Sequence, residues 1–208
     1  MFRRLSILVR RASDDRAGFA RAWERHGGLV KKLPGILSYL QNHVVEEFGH
    51  AGDPPQFRAD GIVELRFESP EAMRDAFASE AAIPVKADEP SFLGHGTGYA
   101  VAMAQEVRRA ENGSKVILVV RSGGGTQAVA TVAAFAAGLP GFLHLIRDDV
   151  TAVIPRPELR EGPQHADFFL HLYFDTVEHA RAAGRTLIAQ SAPGAGLSVY
   201  RVRTLTIV

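Results

Sequence analysis

The chain repeats itself, and this limits its possible folds more than any other feature. "LPGILSYL" at residues 33–40 returns as "LPGFLHLI" at 139–146, an offset of 106. "RLSILVR" at 4–10 returns as "KVILVVR" at 115–121, and "IVELRFESPEAMRDA" at 62–76 as "FLHLYFDTVEHARAA" at 169–183. "GYAVAMAQEV" at 98–107 has its partner in "LSVYRVRTLTIV" at 197–208. Four matches in one order, with offsets that drift by only a few residues, read as a duplicated module of roughly 100 residues. The polar stretch "RRAENGS" (108–114) joins the copies, so the domains are expected at 1–110 and 111–208.

Both copies predict the same succession of elements. An apolar strand (5–10; 115–121) precedes a helix with the 3.6-residue period (14–32; 126–137), the first opened by Ser13 or Asp14 as N-cap. Leu-Pro-Gly then ends the helix, because proline cannot continue it and glycine tolerates the turn. A second strand (36–47; 142–153), a third strand (61–68; 167–174), a second helix (70–79; 176–189) and a last strand complete each module. This βαββαβ order is the ferredoxin-like arrangement, in which helices cover one face of a four-stranded sheet and leave the other bare. The fold class is therefore α+β: two tandem modules whose antiparallel sheets pair face to face into an intrachain α/β barrel. The alternative is that each copy pairs with its equivalent in a second chain.

Composition narrows the function by exclusion. A net charge of +1 gives no clustered basic surface for nucleic acid or for a membrane face. No apolar run approaches the ~20 residues of a spanning helix. "MFRRLSILVRRASDD" lacks a small-residue cleavage site and reads as a first strand. The absence of cysteine excludes disulfides, thiolate metal sites and cysteine nucleophiles, and fits a cytoplasmic location. No cofactor and no metal is expected, and the expected partner is a small molecule in the barrel pocket. Strand edges left exposed after barrel pairing would permit a homodimer.

Alternation assigns faces. In the third strand, Gly61, Val63, Leu65 and Phe67 are expected against the helices, with Ile62, Glu64, Arg66 and Glu68 on the bare face. In the second strand, Leu40 and Val44 are expected on the helix side. Tyr39, Gln41 and His43 would then point to the bare face with Glu64 and Arg66.

With these elements in place, the first copy resembles an EthD-type domain of the dimeric α/β-barrel superfamily. The residues that carry the resemblance are "FARAWERHGGLVKKLPG", "YLQNHVV", "DGIVELRF" and "ADEPSF", within residues 3 to 107. The second copy keeps the frame but lacks the helix histidine and the acidic-plus-Phe motif. The resemblance implies a ferredoxin-like fold and barrel pairing. Related barrels include lactone isomerases, polyketide cyclases, cofactor-free monooxygenases and haem-handling enzymes, and fold alone does not choose among them.

One residue stands out chemically. His26 falls on the apolar stripe of Phe19, Trp23, Val30 and Leu33, where the second copy has Val132. The fold itself does not require an imidazole there. A neutral imidazole can move a proton near pH 7, and a nearby phenol can steady an enolate or phenolate oxygen. The resemblance adds that lactone isomerases of this superfamily carry a histidine and a tyrosine at similar spacing. His26 is thus the candidate general base or acid and Tyr39 the candidate donor, with Trp23, Gln41, His43, Glu64 and Arg66 as candidate substrate contacts. The chemistry expected is cofactor-free isomerisation, cyclisation or decarboxylation of an aromatic or lactone-type substrate.

Structural readings stay open beside each of these. His26 could be a buried histidine bonded to a strand-end carbonyl, Trp23 core and Tyr39 barrel filler. Glu64 and Arg66 could pair across the domain interface, and Asp88 could order the loop before the last strand. A non-catalytic ligand-binding or structural barrel is the alternative function, and haem or nucleotide binding the third. Gly123, Gly125 and Ala128 satisfy G-x-G-x-x-A, with Asp148 some twenty residues on. The match stands alone, with Arg121 and Ser122 between strand and glycines and no further parallel βα units.

Overall fold

Eight apolar stretches among the described residues form strands, and these close on one another without a free sheet edge. The computed structural model describes residues 1–51, 57–103, 113–121, 132, 134–154, 164–190 and 196–208. The strands are β1 (Phe2–Arg10), β2 (Ser38–Ala51), β3 (Gly61–Phe67), β4 (Leu93–Met103), β5 (Ser114–Arg121), β6 (Phe142–Ile154), β7 (Phe168–Phe174) and β8 (Gly196–Thr206). The helices are α1 (Arg16–Val30), α2 (Pro70–Ala78), α3 (Ala82–Asp88) and α4 (Val177–Ala189). The strands close into an antiparallel barrel in the order β1-β3-β2-β8-β5-β7-β6-β4. The barrel closes within one chain, which decides between the two closures the sequence allowed. Closure also removes the free edges on which the expectation of a homodimer rested.

The two halves use matching registers. Leu5 on β1 lies opposite Glu64 on β3 and Tyr99 on β4. Ile117 on β5 lies opposite His171 on β7 and Tyr200 on β8. The β2–β8 and β4–β6 ladders join the halves. The register shifts the equivalence of the first strands to an offset of 112, one more than the sequence match suggests. Arg3, not Arg4, therefore occupies the position of Lys115.

Local chemistry accounts for the helix starts. Asp15, rather than Ser13 or Asp14, caps α1: its carboxylate accepts from Gly18 N at 2.5 Å. Ser69 caps α2, with Pro70 in the first turn, where its missing N–H costs nothing. "ADEPSF" is not a plain loop; Ala87 and Asp88 end α3 and Glu89–Ser91 form a 3-10 turn. The linker 108–112 and the glycines of the G-x-G-x-x-A match lie outside the described residues, as does most of the expected second-half helix at 126–137, of which 134–137 are helical.

Two faces of the barrel wall define two cores. Outside, under α1 to α3, Phe19, Trp23, Val30, Leu33, Val63, Leu65, Phe67 and Phe92 pack together with Tyr39. Inside the barrel, Leu5, Ile7, Val44, Ile62, Tyr99, Ile117, Phe169 and Tyr200 pack together. β3 alternates as its sequence predicts, but β2 alternates in the opposite sense. Tyr39, Gln41 and His43 sit opposite Leu65, Val63 and Gly61, so they share the helix side, while Asn42 and Val44 enter the barrel. Hydrophobicity misleads at this strand because the helix side buries polar groups that hydrogen-bond to one another. At 208 residues, no helix among those described is long and apolar enough to cross a membrane.

Candidate active site

Helix α1 carries one polar side chain on its buried stripe of Phe19, Trp23, His26, Gly27 and Val30. His26 is 4% exposed, and its ring lies 5.1 Å from that of Phe92. Its Nδ1 meets the Asp88 Oδ2 at 2.8 Å. The Asp88 carboxylate, partly exposed at the end of α3, accepts from Nδ1–H and so orients the imidazole. Nε2 makes no hydrogen bond among the described residues.

That histidine lines a cavity of about 420 Å³ between the sheet and the helices of the first half. Leu8, Trp23, Val63, Leu65, Phe77 and Phe92 supply apolar walls, and His26, Tyr39, Arg4, Ser6, Lys86 and Glu89 the polar groups. The Arg4 guanidinium lies over the Phe77 ring, 5.3 Å from its centroid. An apolar chamber with few polar groups suits a small, largely hydrophobic ligand with one or two oxygens.

Behind the wall, a chain of hydrogen bonds holds Tyr39. Trp23 Nε1–H donates to the Tyr39 hydroxyl at 3.1 Å, and Gln41 Nε2–H donates to it at 2.9 Å. The same Gln41 nitrogen donates to the Trp23 carbonyl at 2.7 Å, and Gln41 Oε1 lies 3.0 Å from His43 Nε2. The Trp23 indole lies tilted against the His43 ring, 4.4 Å between centroids, and against Gly61, where any Cβ would overlap the indole. Burial pushes the Tyr39 pKa above its ordinary value, against the two donated hydrogen bonds, so the phenol is neutral. Burial, with Arg203 nearby, pulls His43 down to about 4, so it too is neutral.

Of the residues singled out in the sequence, His26, Trp23 and Tyr39 come together at the cavity. Gln41 and His43 lie one layer deeper and do not line it. Glu64 faces the barrel interior, and Arg66 shares that face of β3, partly buried. Asp88 orders its segment and also orients His26, a role that only the 62-residue contact reveals. Glu89, on the wall of the same cavity, had no signal in the sequence beyond its place in "ADEPSF".

Glu64 belongs to a buried charge network across the two halves. Arg3 bridges Glu64 and Asp148, both at 2.6 Å, and Lys115 reaches Glu64 at 2.5 Å and Asn42 at 3.2 Å. His171 lies 2.9 Å from Asp148, and Asn42 donates to Glu64 at 2.8 Å. Burial alone would raise the Glu64 pKa, but Lys115 and Arg3 outweigh it and hold the carboxyl well below the usual range. Burial and Lys115 lower that of His171. Asp148 is thus engaged inside the barrel, which removes it as an acid for a nucleotide ribose. Among the described residues, no cluster of His, Asp or Glu has the makings of a metal site.

Residues 13–96 match the EthD domain family model. The matched stretch spans less than half of the chain. It contains every residue of the Trp23–Tyr39–Gln41–His43 chain and the His26–Asp88 pair. The whole chain is similar in fold to solved structures of low sequence identity. An anthrone oxidase-like protein superposes with a TM-score of 0.59 at 14% identity, covering 99% of this chain and 93% of that one. A candidate monooxygenase from Lactobacillus acidophilus NCFM gives a TM-score of 0.51 at 11% identity, covering 100% and 94%. A candidate monooxygenase from Fusobacterium nucleatum subsp. nucleatum gives 0.53 at 10%, covering 98% and 93%. At such identities the likeness is one of fold. No curated protein matches the chain.

Proposed function

We propose that the EthD domain is a small-molecule enzyme that abstracts a proton from a carbon acid, with no cofactor needed. The observation that carries this reading is His26 on the cavity wall, bonded through Nδ1 to Asp88 at 2.8 Å. Asp88 holds the tautomer that leaves Nε2 basic and stabilises the imidazolium that forms, a division of labour familiar from carboxylate–histidine pairs. Tyr39, kept neutral by burial, donates to the oxygen that becomes an enolate or phenolate. The walls of Trp23, Phe77 and Phe92 favour an aromatic or lactone-type substrate. Isomerisation, cyclisation and decarboxylation all draw on this one proton transfer and one oxyanion. The anthrone oxidase-like neighbour suggests the first carbon acid to try.

The matching registers of the two halves support their descent as tandem ferredoxin-like modules, 1–110 and 111–208, with the second retained to close the barrel. A homodimer, should one form, must use a surface other than a free strand edge.

The test is hydrogen–deuterium exchange at the methylene carbon of anthrone in D2O under argon, followed by proton NMR. Wild type should accelerate exchange, and His26→Ala should abolish the acceleration. A wild type that accelerates exchange in none of a panel of anthrones, phenols and lactones overturns the reading. The apolar lining favours a non-catalytic binding barrel as the second reading; binding of such ligands without exchange would establish it.

A further inference from the structure

The proton inventory around Tyr39 has only one solution. The Trp23 carbonyl can only accept, so the group of Gln41 facing it at 2.7 Å is the amide NH2. One hydrogen goes to that carbonyl and the other to the Tyr39 hydroxyl. Gln41 Oε1 therefore faces His43, which must carry its proton on Nε2 to donate across 3.0 Å. The indole N–H of Trp23 is a donor only, and it too points at the Tyr39 oxygen. The oxygen thus accepts two hydrogen bonds, and its lone pairs are used. Its own proton has no acceptor among the described residues, and the side chain lines the cavity. A buried hydroxyl proton left without an acceptor is costly unless a ligand supplies one.

We propose that Gln41, oriented between the Trp23 carbonyl and His43, is a positioning residue that makes the Tyr39 hydroxyl an obligate donor into the cavity, so the site selects ligands presenting a phenolic or enolic oxygen. This rests on the reading of Tyr39 as oxyanion donor and adds the device that enforces it. Were the amide reversed, Oε1 would accept the Tyr39 proton, and the cavity would lose its donor. Neutral His43 keeps a lone pair on Nδ1, which has no hydrogen-bond partner among the described residues. Around the His43 side chain are the Trp23 indole and, as its strand partners, Gly61 and Arg203, the latter paired with Glu24 at 2.6 Å.

The probe is 4-nitrophenol, whose phenolate absorbs at longer wavelength than the phenol, titrated free and bound. A single hydrogen bond to the bound phenolate should lower its apparent pKa by about one unit. Wild type should show this shift and Tyr39→Phe should lose it. Gln41→Glu is isosteric and leaves Tyr39 in place, but turns the oxygen-facing donor into an acceptor; it should lose the shift while still binding the probe. A shift of wild-type size in Gln41→Glu overturns the inference and leaves Tyr39 as donor. No shift in wild type overturns the parent reading as well. If the Gln41→Glu protein does not fold, ¹⁵N shifts of the wild-type imidazoles decide: a proton on His43 Nδ1 instead of Nε2 refutes the arrangement.

Discussion

His26 Nδ1 and Asp88 Oδ2 stand 2.8 Å apart across 62 residues of chain, one from the buried stripe of α1 and the other from the end of α3. The contact ties the two helices that wall the cavity and gives the imidazole a defined tautomer. Replacing Asp88 by Asn keeps the size and a hydrogen bond but removes the charge that steadies an imidazolium. Asp88→Asn should lower any His26-dependent exchange of a carbon acid by 10²-fold or more, since a general base contributes about 10²–10⁴. Ligand binding should change little, measured as Kd against turnover in the same buffer.

The Trp23 indole occupies the space over Gly61 that any larger residue would claim. Gly61→Ala should therefore displace Trp23 and with it the Trp23–Tyr39 hydrogen bond. Overpacking of this kind costs about 1–3 kcal/mol. Urea denaturation would show a lower midpoint, and quantitative binding of 4-nitrophenol would show the loss of the bound-state pKa shift. An Ala variant as stable as wild type would mean that Trp23 has room the structure does not show.

The barrel interior should be sensitive to breaking single partners. Glu64 faces Arg3, Lys115 and Asn42, and its side chain is only 7% exposed. Glu64→Gln leaves Arg3 with Asp148 and takes from Lys115 its carboxylate partner. Removing one partner of a buried ion pair typically costs about 3–5 kcal/mol. Equilibrium unfolding of Glu64→Gln and of Asp148→Asn should each show a loss of that order, and the double variant less than their sum, because both act through Arg3.

Stability should fall on acidification in two steps. His43 has a folded pKa of about 4, below the ordinary 6.5. The unfolded chain therefore binds the proton first, and the native state is penalised as pH falls from about 6.5 to 4. A shift of this size corresponds to roughly 3 kcal/mol. His171 is lowered in the same direction and adds to the slope. Glu64, depressed instead, stabilises the fold above its unfolded value near 4.5 and loses that contribution at lower pH. His43→Leu should flatten the upper step in urea midpoints measured between pH 7 and 4 while leaving the lower step intact.

The amino-acid sequence by itself determined the frame. Strand order, α1, α2 and α4 followed from apolar period and the turns from Leu-Pro-Gly, whereas α3 gave no such signal. His26 was legible because the sequence match sets it against Val132, which marks it as the odd residue on an apolar stripe. Tertiary structure alone decided which way β2 faces. Alternation puts Tyr39, Gln41 and His43 on the barrel side, yet they are buried under α1, where Trp23 gives a donor to Tyr39 and an acceptor to Gln41. It alone decided the role of Asp88, since a 2.8 Å contact between residues 62 positions apart leaves no local signal. The interior charges follow the same logic. Arg3, Lys115, Glu64 and Asp148 are ordinary strand residues until closure brings opposite charges within hydrogen-bonding distance and excludes the water that would otherwise screen them.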